Sequence, residues 1–447
     1  MKKTAIISLL SLLLLSLLTG FSQENIQAAE PAKNYLVLFK QNGQLPSDAA
    51  SIVEGAQGKI ISKLDKLGAV KVSSSHPQFL ENVKKSSKVQ DVNIESTVYP
   101  ERAVDTAALP FEGPNASNDL YLQYQWDIKQ VTNNGASWKL PGGTGKSING
   151  KDIVVAVVDT GIDYTHPDLK ANYAYGKSFV PGYPDAMDQD GHGTHVAGSI
   201  AGNGRVLGIG PDLKVAAYRV FGPTGGAATS DIAEALMTAA DDNVDVVNMS
   251  LGGYDWFQDP DYATKDVVAD VRLFDRAIQY AINKGVTVVG SAGNAASNIT
   301  SPGKLSGDDK GATHRSPSSQ RLIRTASNGE AKNLAYYSNY GVGKIDVTAP
   351  GGDYGLAWLQ TRNLALRDGT KRCLSTVPGG YAWYQGTSMA APKTAALAGV
   401  IIAKHGKDTL NPSQVKHIIT STAEDVNKPG YDGESGFGLI DAVNALK

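Results

Sequence analysis

Four short, almost unbroken apolar runs constrain this chain more than any other feature: Ile153–Val158, Val215–Val220, Val244–Asn248 and Val286–Gly290. A strand with one wet face alternates apolar and polar residues. Runs like these need cover on both faces, which means a parallel sheet with helices packed outside it. The intervening stretches supply the helices, and Ser230 to Asp241 and Leu273 to Lys284 are the clearest crossovers. Such a sheet directs attention to the carboxyl ends of its strands, where open α/β sheets gather ligands and reactive groups.

Ahead of this body stands a smaller unit. Tyr35–Lys40, Ala69–Ser73 and Val92–Tyr99 read as strands, and Ser47–Ala56 and Pro77–Lys88 as helices. That alternation over a short span predicts a split βαβ, ferredoxin-like unit. Alone it is marginal in size and needs to dock on the larger body. Before it, Lys2 and Lys3 precede an apolar run from Ala5 to Leu18, broken by Gly20, with small residues at Ala28 and Ala29. The run is short against the ~20 residues that span a bilayer, so it reads as a secretion signal, with a membrane anchor as the alternative. The expected organisation is a signal at 1–28, a small domain at 29–101, a linker at 102–118 and the main domain at 119–447. The product is expected outside the cell, with no membrane span after signal removal.

Lys and Arg number 42 against 44 Asp and Glu. This balance argues against a nucleic-acid partner, which needs a clustered basic face. The single cysteine, Cys373, forms no intramolecular disulfide. A nucleophilic role for it lacks any organised His or Asn motif nearby.

The candidate chemistry sits just past the apolar runs. Asp159 ends the first, before Thr160-Gly161. A carboxylate there is half desolvated and suits an imidazole partner, although a turn-forming Asp fits too. His192 lies between Gly191 and Gly193, which leave its ring free to take and return a proton. His192 and His195 also stand at H-x-x-H spacing, but no Glu, Cys or third His follows at ligand distance. His195 reads as structural. Asn294, in Ser291-Ala-Gly-Asn294, offers an amide to an oxyanion, or a turn. Ser388, in Gly386-Thr-Ser-Met-Ala-Ala-Pro392, opens a helix whose positive end favours an oxyanion, with Pro392 placed in the first turn. This is not the Gly-x-Ser-x-Gly elbow of lipases and esterases.

Singly these motifs are ambiguous. In the order Asp, His, Asn, Ser, with His166-Pro-Asp168-Leu and Asn248-Met-Ser-Leu-Gly between them, the chain resembles the subtilase family over residues 119–447. The resemblance implies a three-layer subtilisin-like α/β fold. It implies Ser388 as nucleophile, His192 as general base and acid, Asp159 as its orienting partner, and Asn294 with the Ser388 amide as oxyanion hole. Ser250, Leu251, Gly252 and Gly253 would pair with extended peptide substrate. Residues 34–100 resemble the family's propeptide, an intramolecular inhibitor removed by self-cleavage. Tyr218-Arg-Val-Phe-Gly222, Pro378-Gly-Gly-Tyr381 and Lys393 resemble the lantibiotic leader peptidases, whose substrates are lantibiotic precursor peptides. A broad degradative protease is the alternative, and a non-catalytic binding protein is disfavoured by the intact motif set.

No cofactor is needed for such chemistry. Structural calcium is an open expectation: Asp168 matches one ligand of the family's strong site, but the loop Ala201–Leu207 is short for it. The Asp-rich stretch 255–275 reads as solvated surface, with an ion site or a wall of the substrate cleft as the alternatives. Self-cleavage is expected between Glu101 and Arg102. That puts Glu101 in the first specificity pocket, where it needs a cation. Lys310, His314, Arg315, Arg321 and Arg324 are candidates, with His314 and Arg315 preferred. Plain surface charges are the alternative.

Overall fold

The computed structural model describes residues 31–100, 107–110, 118–251, 256–258, 267–300, 313–315 and 322–447. The signal segment, Glu101, Arg102, Gly252, Gly253, Lys310 and Arg321 lie outside the described residues.

The N-terminal unit runs β1 (Lys33–Phe39), α1 (Ala49–Gly55), β2 (Lys59–Leu64), β3 (Ala69–Ser74), α2 (Phe79–Lys84) and β4 (Val89–Ile94). Its strands form an antiparallel sheet in the order β2-β3-β1-β4, the ferredoxin-like arrangement. Alternation along β1 splits its side chains between two cores. Tyr35, Val37 and Phe39 meet Val53 and Phe79 beneath the unit's own helices. Leu36 and Leu38 face outward and are covered only by the larger domain. After β4 come β5 (Thr97–Val98) and β6 (Ala107–Pro110).

In the larger domain α3 (Asp119–Tyr124) and α4 (Trp126–Thr132) lead to β7 (Val154–Asp159), β8 (Tyr173–Ser178), α5 (His192–Ala201), β9 (Lys214–Arg219) and β10 (Ala227–Ala228). Then follow α6 (Thr229–Asp241), β11 (Val246–Met249), β12 (Trp256–Gln258), α7 (Val268–Asn283), β13 (Thr287–Ser291) and β14 (Thr313–Arg315). The chain ends through β15 (Ile323–Asn328), β16 (Val347–Pro350), α8 (Leu356–Thr361), β17 (Cys373–Val377), β18 (Gly380–Tyr384), α9 (Thr387–His405) and α10 (Pro412–Thr422).

Seven strands make one parallel sheet in the order β16-β15-β13-β11-β7-β9-β8. The apolar runs are continuous because alternate residues enter different cores. Val155 and Val157 pack on the α5 and α9 side. Ala156 and Val158 pack on the α6 and α7 side. The result is a three-layer subtilisin-like α/β fold.

The N-terminal unit docks on α6 and α7. Leu36, Leu38, Leu64 and Leu67 are buried in a cluster with Leu236, Leu273 and Phe274. Burying one such leucine contributes about 1.5–3 kcal/mol. The unit also satisfies the open ends of both helices. Glu95 accepts from the Ser230 amide at 2.9 Å, and Asn93 accepts from the Ala269 amide at 2.7 Å. Asp270, on α7, accepts from Asn93 Nδ2, the Ser96 amide and Ser96 Oγ. This corrects the reading of solvated surface for residues 268–275, which are helix with Asp270 buried under the N-terminal unit, while Asp255 and 259–266 lie outside the described residues. β5 then pairs antiparallel with β10, carrying the chain toward the carboxyl edge of the sheet. Gly226 makes room for it, because a Cβ there would stand 2.4 Å from the Val98 carbonyl oxygen.

Candidate active site

Asp159 is the last residue of β7 and His192 the first of α5. Two side chains to which the sequence reading assigned no role hold the approach to His192. Asp188 accepts from the amides of Asp190, Gly191 and Thr194 and from the Thr194 hydroxyl, so it caps the helix. Arg219, buried at the end of β9, donates to the Asp185 and Met187 carbonyls and to Gln189 Oε1. The carboxylate four residues before His192 was the readable capping signal. Arg219 stands in the Tyr218-Arg-Val-Phe-Gly222 segment, but no local pattern reports its role, since its partners lie 30 to 34 residues before it. Gly193 lets the helix start press on the β7 loop, where a Cβ would sit 2.1 Å from the Gly161 oxygen.

The two side chains then meet. His192 Nδ1 lies 2.8 and 2.9 Å from the two Asp159 oxygens. With Nδ1–H given to the carboxylate, Nε2 keeps its lone pair. Nε2 is buried and takes no hydrogen bond. Burial alone would push the imidazole pKa down, but the charge and hydrogen bond of Asp159 outweigh it and hold it above the usual 6.5. In its neutral form this arrangement leaves Nε2 able to accept a proton.

Ser388 is the second residue of α9. Its Oγ donates to the Ser250 carbonyl at 3.2 Å, and Ser250 Oγ donates back to the Ser388 carbonyl at 2.8 Å. Pro392 explains the second bond. It lies at the sixth helical residue, beyond the first turn where it was expected. Lacking an N–H, it leaves the Ser388 carbonyl without its i+4 donor, and Ser250 takes that place. Because Ser250 follows β11, this exchange seats the serine beside the end of β7, where Asp159 stands.

Asn294 lies past β13. Its Oδ1 accepts from both the amide and the hydroxyl of Thr387, at 2.8 and 2.9 Å. That orients Nδ2 as the donor end, beside Gly386. Nδ2 and the free amide of Ser388 at the helix start are the donors an oxyanion needs. Leu251 is buried, with its carbonyl accepting from Ser291.

The remaining expectations fall elsewhere. His195 Nε2 lies 3.1 and 3.0 Å from the carbonyls of Cys373 and Ala382, and the ring stacks on Tyr384. These are the contacts of a structural histidine, and among the described residues no group of three or more His, Cys, Asp or Glu gathers to hold a metal. Burial pushes the Cys373 thiol well above its usual range, which opposes a nucleophilic role. Lys393 is buried in an ion pair with Asp127 at 2.9 Å. Backbones at His314 and Arg315 pair with Phe257 and Trp256, and their side chains lie outside the described residues. Arg324 is buried at the start of β15, the edge opposite the serine, near Asp275.

The residues around Asp168 do not fit calcium. Its carboxylate accepts from the Val206 amide and the Tyr381 hydroxyl, with the Arg205 cation close by. Calcium takes a cage of oxygen ligands. Here hydrogen-bond donors hold the short loop that an ion would otherwise brace.

A doubly covered parallel sheet that gathers an imidazole, a carboxylate and a helix-borne serine at one edge defines a class, the subtilisin-like serine proteases. The chain belongs to one family of it: residues 150–438 match the Subtilase family, peptidase S8. It is 32% identical over 335 residues to the thermophilic serine proteinase of Bacillus sp. strain AK1, covering 74% of this chain and 69% of that one. It is 29% identical over 423 residues to the epidermin leader peptide-processing serine protease EpiP of Staphylococcus epidermidis, covering 86% of this chain and 87% of the other. The crystal structure of EpiP from Staphylococcus aureus shares the fold, with a TM-score of 0.74, 24% identity, and 93% and 98% of the two chains covered.

Proposed function

We propose that the chain is a secreted serine endopeptidase, made as a self-cleaving zymogen, that removes leader peptides from lantibiotic precursors. The observation that carries the proteolytic reading is the buried Asp159–His192 pair with Nε2 unpartnered. In the reaction Ser388 Oγ releases its bond to Ser250 and passes its proton to Nε2 as it attacks the peptide carbonyl. Asn294 Nδ2 and the Ser388 amide receive the oxyanion. His192 then returns the proton to the leaving amine, and water, activated by the same imidazole, hydrolyses the acyl-enzyme. Asp159 holds the tautomer and balances the imidazolium.

The zymogen reading is supported by the docked N-terminal unit and by β5, which leads toward the cleft as an inhibitory product strand. The processing role is supported by the similarity to EpiP, which extends beyond the residues of the family match. A broad degradative extracellular protease is the second reading, left open because the Bacillus relative, at the higher identity, is named as a serine proteinase with no processing role.

The test is the intact mass of the purified wild type beside Ser388→Ala. Wild type should split, the variant should stay whole, and the fragment masses should place the cut between Glu101 and Arg102. A variant that splits as the wild type does rejects the self-cleaving reading. A panel of unfolded proteins separates the two roles, since a processing enzyme leaves most bonds uncut.

A further inference from the structure

The connection from β16 to β17 carries a cluster the mechanism does not use. Trp358, on α8, is buried against Tyr336 and Tyr354, with ring centroids 4.8 and 5.2 Å apart. Two exposed arginines cover these rings. Arg362 lies 4.8 Å from the Trp358 centroid and 6.0 Å from that of Tyr336. Arg367 lies 4.6 Å from the Tyr354 centroid and 5.3 Å from that of Trp358. Two cations thus share one indole, and among the described residues neither forms an ion pair with a carboxylate. The adjacent acid, Asp368, is turned onto the Thr370 amide and hydroxyl. The neighbouring Lys371 already has Glu330, at 2.6 Å. Like charges held together without a counter-ion repel, and an acidic partner relieves this. Stacking on rings fixes each guanidinium plane and leaves its fork open to a carboxylate.

This shelf adjoins the active site. Gln385, three residues before Ser388, donates from Nε2 to the Tyr336 hydroxyl at 2.7 Å. Its Oε1 and the Trp358 indole Nε1 are both buried without a partner, so the polar interior of the shelf is incomplete. Chain direction says which part of a substrate crosses it. The tail of the N-terminal unit approaches on the β9 side, through β5 on β10. The shelf follows β16, at the other end of the sheet, and Ser388 stands between them. The chain's own residues 107–110, downstream of the expected cut, pair antiparallel with β18, entering at Ala107 opposite Trp383, two residues before Gln385, and running from there away from the shelf to Pro110 opposite Gly380.

We infer that Arg362 and Arg367, stacked on Trp358, Tyr336 and Tyr354, form a binding shelf for acidic residues of the substrate peptide downstream of the bond that is cut. The inference rests on the reading of Ser388 as nucleophile and adds a specificity to that site. An acidic downstream segment binds the forks as the upstream segment fills the cleft. The effect falls mainly on KM, because the shelf lies away from the reacting carbonyl.

The experiment uses the self-processed enzyme and peptides identical up to the cut, with Glu, Gln or Lys pairs at the third to sixth positions after it. Wild type should cleave the Glu peptides about tenfold more efficiently than the Lys peptides, the scale of two partly exposed ion pairs. Raising salt should shrink the difference. The double variant R362Q/R367Q should lose the discrimination. Equal cleavage of Glu and Lys peptides by wild type, or a preference that survives in the double variant, overturns the inference. A short acyl amide with no downstream residues separates the two failures. If wild type does not hydrolyse it, the reading of Ser388 falls and the shelf with it. If it does, a missing preference counts against the shelf alone.

Discussion

His192 and His195 stand one turn apart on α5, both buried, and the protein treats them in opposite ways. His192 faces a carboxylate and its pKa is held above the usual value. His195 faces two carbonyls and, chiefly through burial, its pKa is pushed down to about 3. At His192 one nitrogen is satisfied and the other is left unpartnered. At His195 the partnered nitrogen must carry the hydrogen, since both atoms facing it are acceptors. Burial is common to both rings. Each ring also keeps one buried nitrogen without a partner, Nε2 of His192 and Nδ1 of His195, so what separates a base from a strut here is the charge of the partner on the other nitrogen.

The largest effect expected from this comparison is at His192. His192→Ala should lower kcat by about 10⁶, the scale known for subtilisin, measured on a peptide amide with the folded state checked by circular dichroism. Activity near the wild-type level would remove the distinction between the rings. Asp159→Asn comes next, at about 10⁴ in kcat. Its amide can donate to Nδ1 and so put the proton on Nε2, where it cannot accept from Ser388. An unchanged kcat in this variant would mean the carboxylate does not set the tautomer.

His195→Phe should act on stability. It leaves the Cys373 and Ala382 carbonyls without their donor, at a cost of about 1–3 kcal/mol, read as a lower midpoint in denaturant. Turnover per folded molecule should move far less than in His192→Ala. A large loss of kcat without loss of stability would make His195 part of the chemistry.

The smallest effects are in pH profiles, and the two rings give different ones. In the proposed reaction His192 must be neutral to take the serine proton, so kcat/KM should fall as pH drops through a value above 6.5. An acid limb centred below about 6.5 would contradict the raised pKa. For His195 the folded pKa lies below the unfolded one. The unfolded chain therefore binds the proton first, and stability should fall as pH drops from about 6.5 toward about 3. In His195→Phe that contribution disappears, and the slope of stability against pH in this window should flatten.

The legible parts of the fold were those where one physical demand acts along the chain. β7, β9, β11 and β13 were readable because both faces of each are buried. β2 was missed because it lies at the sheet edge with exposed positions alternating along it. α7 was read from Leu273 and begins at Val268. Its first turn is held by Asn93, 176 residues before Ala269, and no local pattern reports that. The same distance hid Asp270, an acid in an acid-rich stretch until the N-terminal unit covers it.

The sequence by itself determined the parallel sheet, the strand ends that carry chemistry and the identity of Asp159, His192, Asn294 and Ser388 as the candidates. Each depends on residue type at short spacing: apolar continuity for a doubly covered strand, glycine beside a close approach, a polar residue just past a strand. Only the tertiary structure decided what each polar atom meets. It paired Ser388 with Ser250 through the carbonyl that Pro392 leaves open. It gave Asp168 hydrogen-bond donors instead of an oxygen cage, and it set Arg362 and Arg367 on one indole beyond the serine. Hydrogen bonds and stacked cations depend on ångström-scale distances between residues far apart in the chain, and only folding sets those distances.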